Sequence, residues 1–340
     1  MSQEFTLIEQ YLKPLSQPLA KGEVGIGDDG AILNQTANQQ WVVVTDTMVA
    51  GVHYPQQTDA FDIGWKLLAV NLSDLAAMGA EPQSYSLALT LPKVDPCWLQ
   101  DFTQGLKTLA DVFQMPLIGG DTTQGQQTVL TLSALGTVPT GLGILRKTAQ
   151  IGDLILVSGE LGSGGLGLEW VLSHQQLDSE EVLKLNRPQP RIILAQVLRQ
   201  ADLVHSMIDI SDGLVADLTH ICEASNCGAL IELSQLPMSK AVKQRVQQQG
   251  YQLPLTAGDD YELCLTIAPE NLSAVQAIAQ SLDETLTVIG KIIELPTSKD
   301  TQKQGGVDKK TEKIWLIEEP NARTPKAASQ YLSKTGFQHF

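Results

Sequence analysis

The feature that most constrains this chain is where its acids fall. Asp46 closes the apolar run Val42-Val43-Val44-Thr45, Asp121 follows Leu117-Ile118-Gly119-Gly120, and Asp209 and Asp212 bracket Ile210-Ser211 behind Met207-Ile208. Asp74 sits within Leu67–Ala80, a helical run apolar almost all round. Asp28 and Asp29 lie in Gly25-Ile-Gly-Asp-Asp-Gly30, and Asp259 and Asp260 precede the strand-like run Tyr261–Ile267. α/β proteins place ligand sites outside the carboxyl ends of strands, so acids at those ends belong in a fold that gathers strand ends together.

Each acid has a plainer reading. Asp-Gly and Gly-Asp pairs are ordinary turn chemistry. Asp212 suits a helix cap, and Asp74 a paired core acid. Turns do not explain the recurrence. Several carboxylates buried together need cations. Few basic residues are interleaved with these motifs, Lys66, Arg146 and Lys147 being the nearest. Magnesium is the economical partner, because it takes carboxylate oxygen and completes its shell with phosphate and water. Glycines beside the acids let backbone N–H groups approach phosphate.

Short β-branched runs alternate with helical ones, which predicts an α/β or α+β fold. Strands are expected at Trp41–Thr45, 116–118, 128–138, 151–157, 207–210, 261–267, 285–293 and 315–317. Helices are expected at 62–78, with Asp62 a candidate cap, and at 98–113, 192–200 and after Gly213. A length of 340 residues suits two domains. The segment Pro139–Gly152, rich in Gly and Thr, divides them into 1–145 and 146–340. Pro296–Lys313 is polar and reads as a loop.

The net charge of −15 disfavours nucleic acid or an anionic membrane as partner. No apolar run of about 18 residues suggests a span, and Met1–Ala20 does not read as a signal peptide, so a cytoplasmic enzyme is expected. Four cysteines without CxxC spacing read as structural thiols. The glycines from Gly159 to Gly167 lack the Lys-Ser/Thr ending of a Walker A loop and read as a tight turn into a helix.

In order, Gly25–Ile32, Thr45–His53, Ala69–Ala80, Gly119–Thr123, Ile208–Leu214 and Gly258–Leu263 resemble the motifs of thiamine-monophosphate kinases. The resemblance implies a two-domain aminoimidazole ribonucleotide synthetase-like fold whose N-terminal domain carries ATP and magnesium and pairs in a homodimer. It implies direct in-line phosphoryl transfer from ATP to thiamine phosphate. By similarity, Asp29, Thr45, Asp46, Asp74, Asp121, Asp209 and Asp212 would hold several magnesium ions. Gly120, Asp121, Arg146 and Ser211 would contact ATP, and His53 and Asp259 the thiamine phosphate. Asp74, Asp212 and Arg146 would carry the catalytic burden. The family commonly has Glu where Asp259 stands, and its C-terminal Trp has no clear match, Phe337 being the substitute. Rival readings are another ATP-using enzyme of the superfamily, such as the selenophosphate synthetase or the hydrogenase-maturation dehydratase, and a non-catalytic nucleotide-binding regulator.

Overall fold

The computed structural model describes residues 8–15, 37–295, 313–318 and 325–332. Asp28, Asp29, Phe337 and nearly all of the 296–313 loop lie outside the described residues. The chain divides into two compact units, Met1–Gly143 with Asn186–Ile192, and Ile144–Leu185 with Ile193–Phe340. The first unit thus takes back a short segment that the division at 145 assigns to the second. Among the described residues no helix is long and apolar enough to cross a membrane.

In the first unit, strands β1 (Gln39–Val49), β2 (Glu81–Leu91), β3 (Leu117–Gln124) and β4 (Val129–Pro139) form one sheet in the order β1-β4-β2-β3. β4 runs antiparallel to β1 and β2, and β2 pairs parallel with β3. Helices α1 (Ala60–Ala77) and α2 (Pro96–Phe113) are the crossovers. Apolar residues occur in α1 at nearly every turn position, and Leu67, Leu68, Leu72 and Leu75 are fully buried, each stabilising the unit by about 1.5–3 kcal/mol. α2 is amphipathic, buries Leu99, Phe102, Leu106 and Leu109, and starts at Asp95, whose side chain accepts from Trp98 N–H. The cap of α1 is Asp59, not Asp62. Asp62 lies inside the first turn, where its Oδ1 takes Arg187 Nε at 2.5 Å, while Arg187 stacks on the Phe61 ring at 4.6 Å. Trp65 Nε1 donates to the Pro188 carbonyl. Those contacts are what hold Asn186–Ile192 on α1.

Two glycines set the distance between the helices. A Cβ on Gly64 would stand 2.0 Å from the Phe102 carbonyl oxygen, and one on Gly105 would stand 2.0 Å from the Phe61 carbonyl oxygen. Backbone meets backbone at this crossing, which only glycine permits.

In the second unit, β5 (Leu154–Ser158), β6 (Ser206–Asp209), β7 (Gly228–Glu232), β8 (Leu263–Ile267), β9 (Leu286–Ile293), β10 (Ile314–Ile317) and β11 (Lys326–Ala327) form a sheet in the order β11-β10-β7-β9-β5-β8-β6. Helices α3 (Ser163–Leu172), α4 (Glu180–Asn186), α5 (Ile192–Gln200), α6 (Leu214–Ala224), α7 (Lys240–Gln249), α8 (Gln252–Thr256), α9 (Leu272–Ser281) and α10 (Ala328–Tyr331) are distributed along it. Leu214, Val215, Leu218 and Ile221 of α6 share one core with Ile155, Val157, Ile208 and Ile289 of the sheet. This core anchors the turn between β6 and α6, where Ser211, Asp212 and Gly213 stand.

Candidate active site

In the first unit, Asp46 and Asp74 meet. Strand alternation turns Val42, Val44, Asp46 and Met48 toward the helix-covered face of β1, and Asp74 comes down from α1. The two side chains are neighbours, within reach of a hydrogen bond once one of them carries a proton. Burial pushes the Asp46 carboxyl above the usual carboxylate range, with the bond to Asp74 working against that rise. Two carboxylates within hydrogen-bonding reach either share a proton or sit on a cation. Among the described residues no group of three or more His, Cys, Asp or Glu side chains makes a complete metal cage. A pair is nonetheless what magnesium commonly takes from a protein, the rest of its shell being water and phosphate. The pair therefore fits the cation that the sequence implies.

Thr45 faces the other way. It is exposed, and its hydroxyl is bonded to Ser133 Oγ at 2.7 Å. Asp121 is also exposed and stands on the far edge strand, in register with Ala88, Thr131 and Thr47 in turn. Three strand spacings separate it from β1, roughly 14 Å. Its cross-strand neighbour Ala88 is exposed, whereas Leu132 and Leu87, level with Asp46, are buried against the helices. Asp121 and the Asp46–Asp74 pair thus occupy different faces of the sheet. Gly120 lies against β2 so closely that a Cβ would stand 1.8 Å from the Leu87 carbonyl oxygen.

His53 occupies the turn after β1, where Val49 N–H donates to its Nδ1 at 3.0 Å. A nitrogen that accepts is unprotonated, so the neutral ring carries its proton on Nε2. The backbone bond expected of an ordinary loop histidine is present.

In the second unit the structure brings together Asp209, Ser211, Asp212 and Asp259. Asp209 ends β6 and is buried. Asp259 N–H donates to the Ser211 carbonyl at 3.0 Å and Tyr261 N–H to the Ile210 carbonyl at 2.8 Å, so residues 258–261 run alongside the 210–212 turn. Asp259 has a φ of 66°, a left-handed conformation that Asp tolerates better than bulkier residues, and Tyr261 Oη donates to its Oδ1 at 3.4 Å. Arg146 is exposed, and its carbonyl accepts from Ser225 Oγ just past the far end of α6, whose 11 residues put roughly 16 Å of helix between that anchor and Gly213.

Two more acids hold backbone here: Asp217, which no motif singles out, and Asp260, which stands in the Gly258–Leu263 motif without an assigned role. Asp217, in the first turn of α6, accepts from the N–H groups of Ser211, Asp212 and Gly213, all at 3.1 Å and all on Oδ2. Burial, then the charges of Asp209 and Asp212, push its carboxyl up to about 8 against the pull of those amides. Asp260 accepts from Gly162 N–H at 2.7 Å and Gly164 N–H at 3.1 Å, at the start of α3, and burial pushes it up to about 7. The glycine-rich turn therefore spends its amides on the chain's own carboxylate, in keeping with a turn into a helix. The one available signal for Asp217 was its spacing after Asp212, inside the first helical turn.

Comparison with known proteins defines the class first. The AIR synthase related N-terminal domain matches residues 27–138, and the corresponding C-terminal domain matches residues 150–301. Thiamine-monophosphate kinase of Escherichia coli K12 is 43% identical over 295 residues, covering 85% of this chain and 90% of that protein. The Haemophilus influenzae enzyme of the same name is 42% identical over 296 residues, covering 86% and 89%. The crystal structure of thiamine-monophosphate kinase from Stenotrophomonas maltophilia K279a superposes with a TM-score of 0.80 at 40% identity, covering 93% of this chain and 97% of that one. AaThiL, complexed with AMPPCP and TMP, superposes with a TM-score of 0.72 at 25% identity, covering 99% and 97%. This chain belongs to the thiamine-monophosphate kinase family of AIR synthase related proteins. Escherichia coli HypE, a hydrogenase maturation protein, shares the fold at 20% identity.

Proposed function

We propose that this protein transfers the γ-phosphoryl group of ATP to thiamine phosphate, giving thiamine diphosphate and ADP. The observation that carries this reading is the likeness, over nearly the whole of both chains, to a relative that binds an ATP analogue together with TMP. The motifs agree with it: paired acids for a cation, and a turn whose Ser suits a phosphate and whose Asp suits a further cation.

Magnesium, when bound, would screen the repulsion between two phosphate anions and stabilise charge on the transferring group. Asp46 and Asp74 would hold one ion, with Asp29 as a further ligand. Asp121, Asp209 and Asp212 would hold others. With its hydroxyl engaged by Ser133, Thr45 has only its main chain to contribute on the Asp46 side. Gly120, Asp121 and Ser211 would contact the nucleotide. Arg146 would contact it too and add a fixed positive charge beside the transferring group. His53 would donate from Nε2 to the substrate phosphate, Asp259 would contact the thiamine side, and Phe337 is the aromatic candidate for the rings. The attacking atom is a phosphate oxygen already ionised at neutral pH, so direct in-line transfer needs no strong general base. The exposed Trp41 and Val43 on the face of β1 away from α1 are the natural surface for a homodimer, and a supply of ATP suits the cytoplasm.

The test is ADP release by the purified protein with thiamine phosphate, thiamine, nucleoside monophosphates and selenide as acceptors. Release with thiamine phosphate alone is expected. Release with another acceptor and none with thiamine phosphate would replace this reading with a different enzyme of the superfamily, and nucleotide binding without any turnover would favour a regulator.

A further inference from the structure

The three amides of Ser211, Asp212 and Gly213 point the same way, and successive amides that do so ordinarily make an anion site. Here that concavity is filled from inside, because all three converge on Oδ2 of Asp217. Asp217 is 3% exposed and belongs to α6, whose Leu214, Val215 and Leu218 are locked in the core. Gly213 is pinned from the other side, since a Cβ there would stand 2.8 Å from the Thr256 carbonyl carbon. Gly258 is equally close to the turn, a Cβ there standing 2.1 Å from the Ser211 carbonyl oxygen. The turn is thus held by one buried carboxylate on its amide side and by backbone on the other.

We infer that Asp217 is a positioning residue for the reaction: by gathering the three amides it fixes the Ser211–Gly213 turn in the one conformation that presents the Asp212 carboxylate to a cation and the Ser211 hydroxyl to the phosphates. A corollary is that these amides do not bind phosphate themselves, so the turn meets the nucleotide through side chains. This inference rests on the phosphotransfer reading for its kinetic consequence but not for its structural one. The plainer role, a helix-start acid that only adds stability, predicts no effect on turnover once the protein is folded.

The experiment compares Asp217→Asn and Asp217→Ala with the wild type at saturating magnesium. Asn keeps an acceptor oxygen where Oδ2 stands, and Ala removes it. The expected result for Ala is a fall in kcat of at least 30-fold with KM for thiamine phosphate changed less than threefold, and for Asn a kcat within about threefold of wild type. Amide hydrogen exchange at residues 211–213, which needs no activity, should accelerate at least tenfold in the Ala variant and stay slow in the Asn variant. Turnover of the Ala variant within threefold of wild type would overturn the inference. So would a folded Asn variant as slow as Ala, since charge would then matter and not the amide geometry. Should the Ala variant fail to fold, Asp217→Ser, whose shorter hydroxyl cannot gather the three amides, takes its place: a fall in kcat of at least 30-fold in the folded protein supports the inference, and turnover within threefold of wild type ends it. Slow exchange that depends on Asp217, in a wild type without kinase activity, would leave the positioning intact and sink the phosphotransfer reading instead.

Discussion

Gly105→Ala should destabilise the protein even though alanine is the better helix former. Propensity alone favours Ala over Gly by about 1 kcal/mol inside a helix. The crossing of α1 and α2 opposes it: the new Cβ would lie 2.0 Å from the Phe61 carbonyl oxygen, 2.9 Å from its carbonyl carbon and 3.0 Å from Trp65 N. None of these atoms is the end of a flexible side chain, so the helices must part by about 1 Å or more. A gap of that size forfeits roughly a quarter to a half of each dispersion contact across it, and overpacking costs about 1–3 kcal/mol, sometimes more. After the propensity gain a net loss of about 2 kcal/mol is expected, or roughly 4–8 °C in Tm for a unit of this size. α1 also carries Asp74, nine residues beyond Trp65 on the same rigid helix. A shift of about 1 Å at the site can cost on the order of 100-fold in rate, so kcat should fall at least tenfold. Gly64→Ala opens the same crossing, so the double variant should cost clearly less than the sum of the two. Thermal denaturation and steady-state turnover of the three variants are the assay. A Gly105→Ala protein with unchanged or raised Tm, or strictly additive losses, would refute the reasoning.

Asp74→Asn should lower turnover by at least 100-fold at ordinary magnesium, with partial recovery as magnesium is raised, since a carboxylate of the pair is lost; near-normal kinetics would remove Asp74 from the metal site. Arg187→Met should lower stability by about 1–3 kcal/mol, because it strands the buried Asp62, the range being reduced for the partial exposure of Arg187; the check is the denaturation midpoint, and no change would show that water already serves Asp62. Asp260 gives a pH signature. Its folded pKa, about 7, lies above the unfolded carboxyl value, so the folded state keeps a proton that the unfolded state has lost. Its contribution is present at low pH and declines as pH rises from about 4 to about 7, then levels off. Relative to wild type, Asp260→Asn should therefore gain in Tm across that window and no further above it, whereas a constant offset would mean that Asp260 does not titrate there.

How much of this was legible in the sequence depended on whether the signal was local. β1, α1 and α2 announced themselves through apolar runs and helical spacing, and the pairing of Asp46 with Asp74 follows from a strand and a helix whose character was plain. β2 is masked in the sequence by its polar opening, Glu81-Pro82-Gln83-Ser84, although Tyr85, Leu87, Leu89 and Leu91 alternate as a half-buried strand should. β3 runs past the expected end at Ile118 because it continues through glycine and polar residues, Gly119 to Gln124, whose place in the sheet is set by the neighbouring β2. Asp62 read as a cap, since an acid at the start of a helix usually is one. Its actual partner, Arg187, is 125 residues away. Asp260 acts on amides almost a hundred residues earlier, which no spacing rule reports. Asp217 lay within reach of local reasoning, but its role depends on three amides turning inward together. The placing of Asp121 on the other face from Asp46 needed strand order, which motif order does not contain.

The most direct test of the central claim, that paired carboxylates on β1 and α1 exist to hold a divalent cation for phosphate chemistry, is an anomalous-scattering map of crystals grown with manganese, AMPPCP and thiamine phosphate. A peak bonded to oxygens of both Asp46 and Asp74 and to a phosphate oxygen is the predicted result. Manganese bound elsewhere, with those two side chains still hydrogen-bonded to one another, would contradict it.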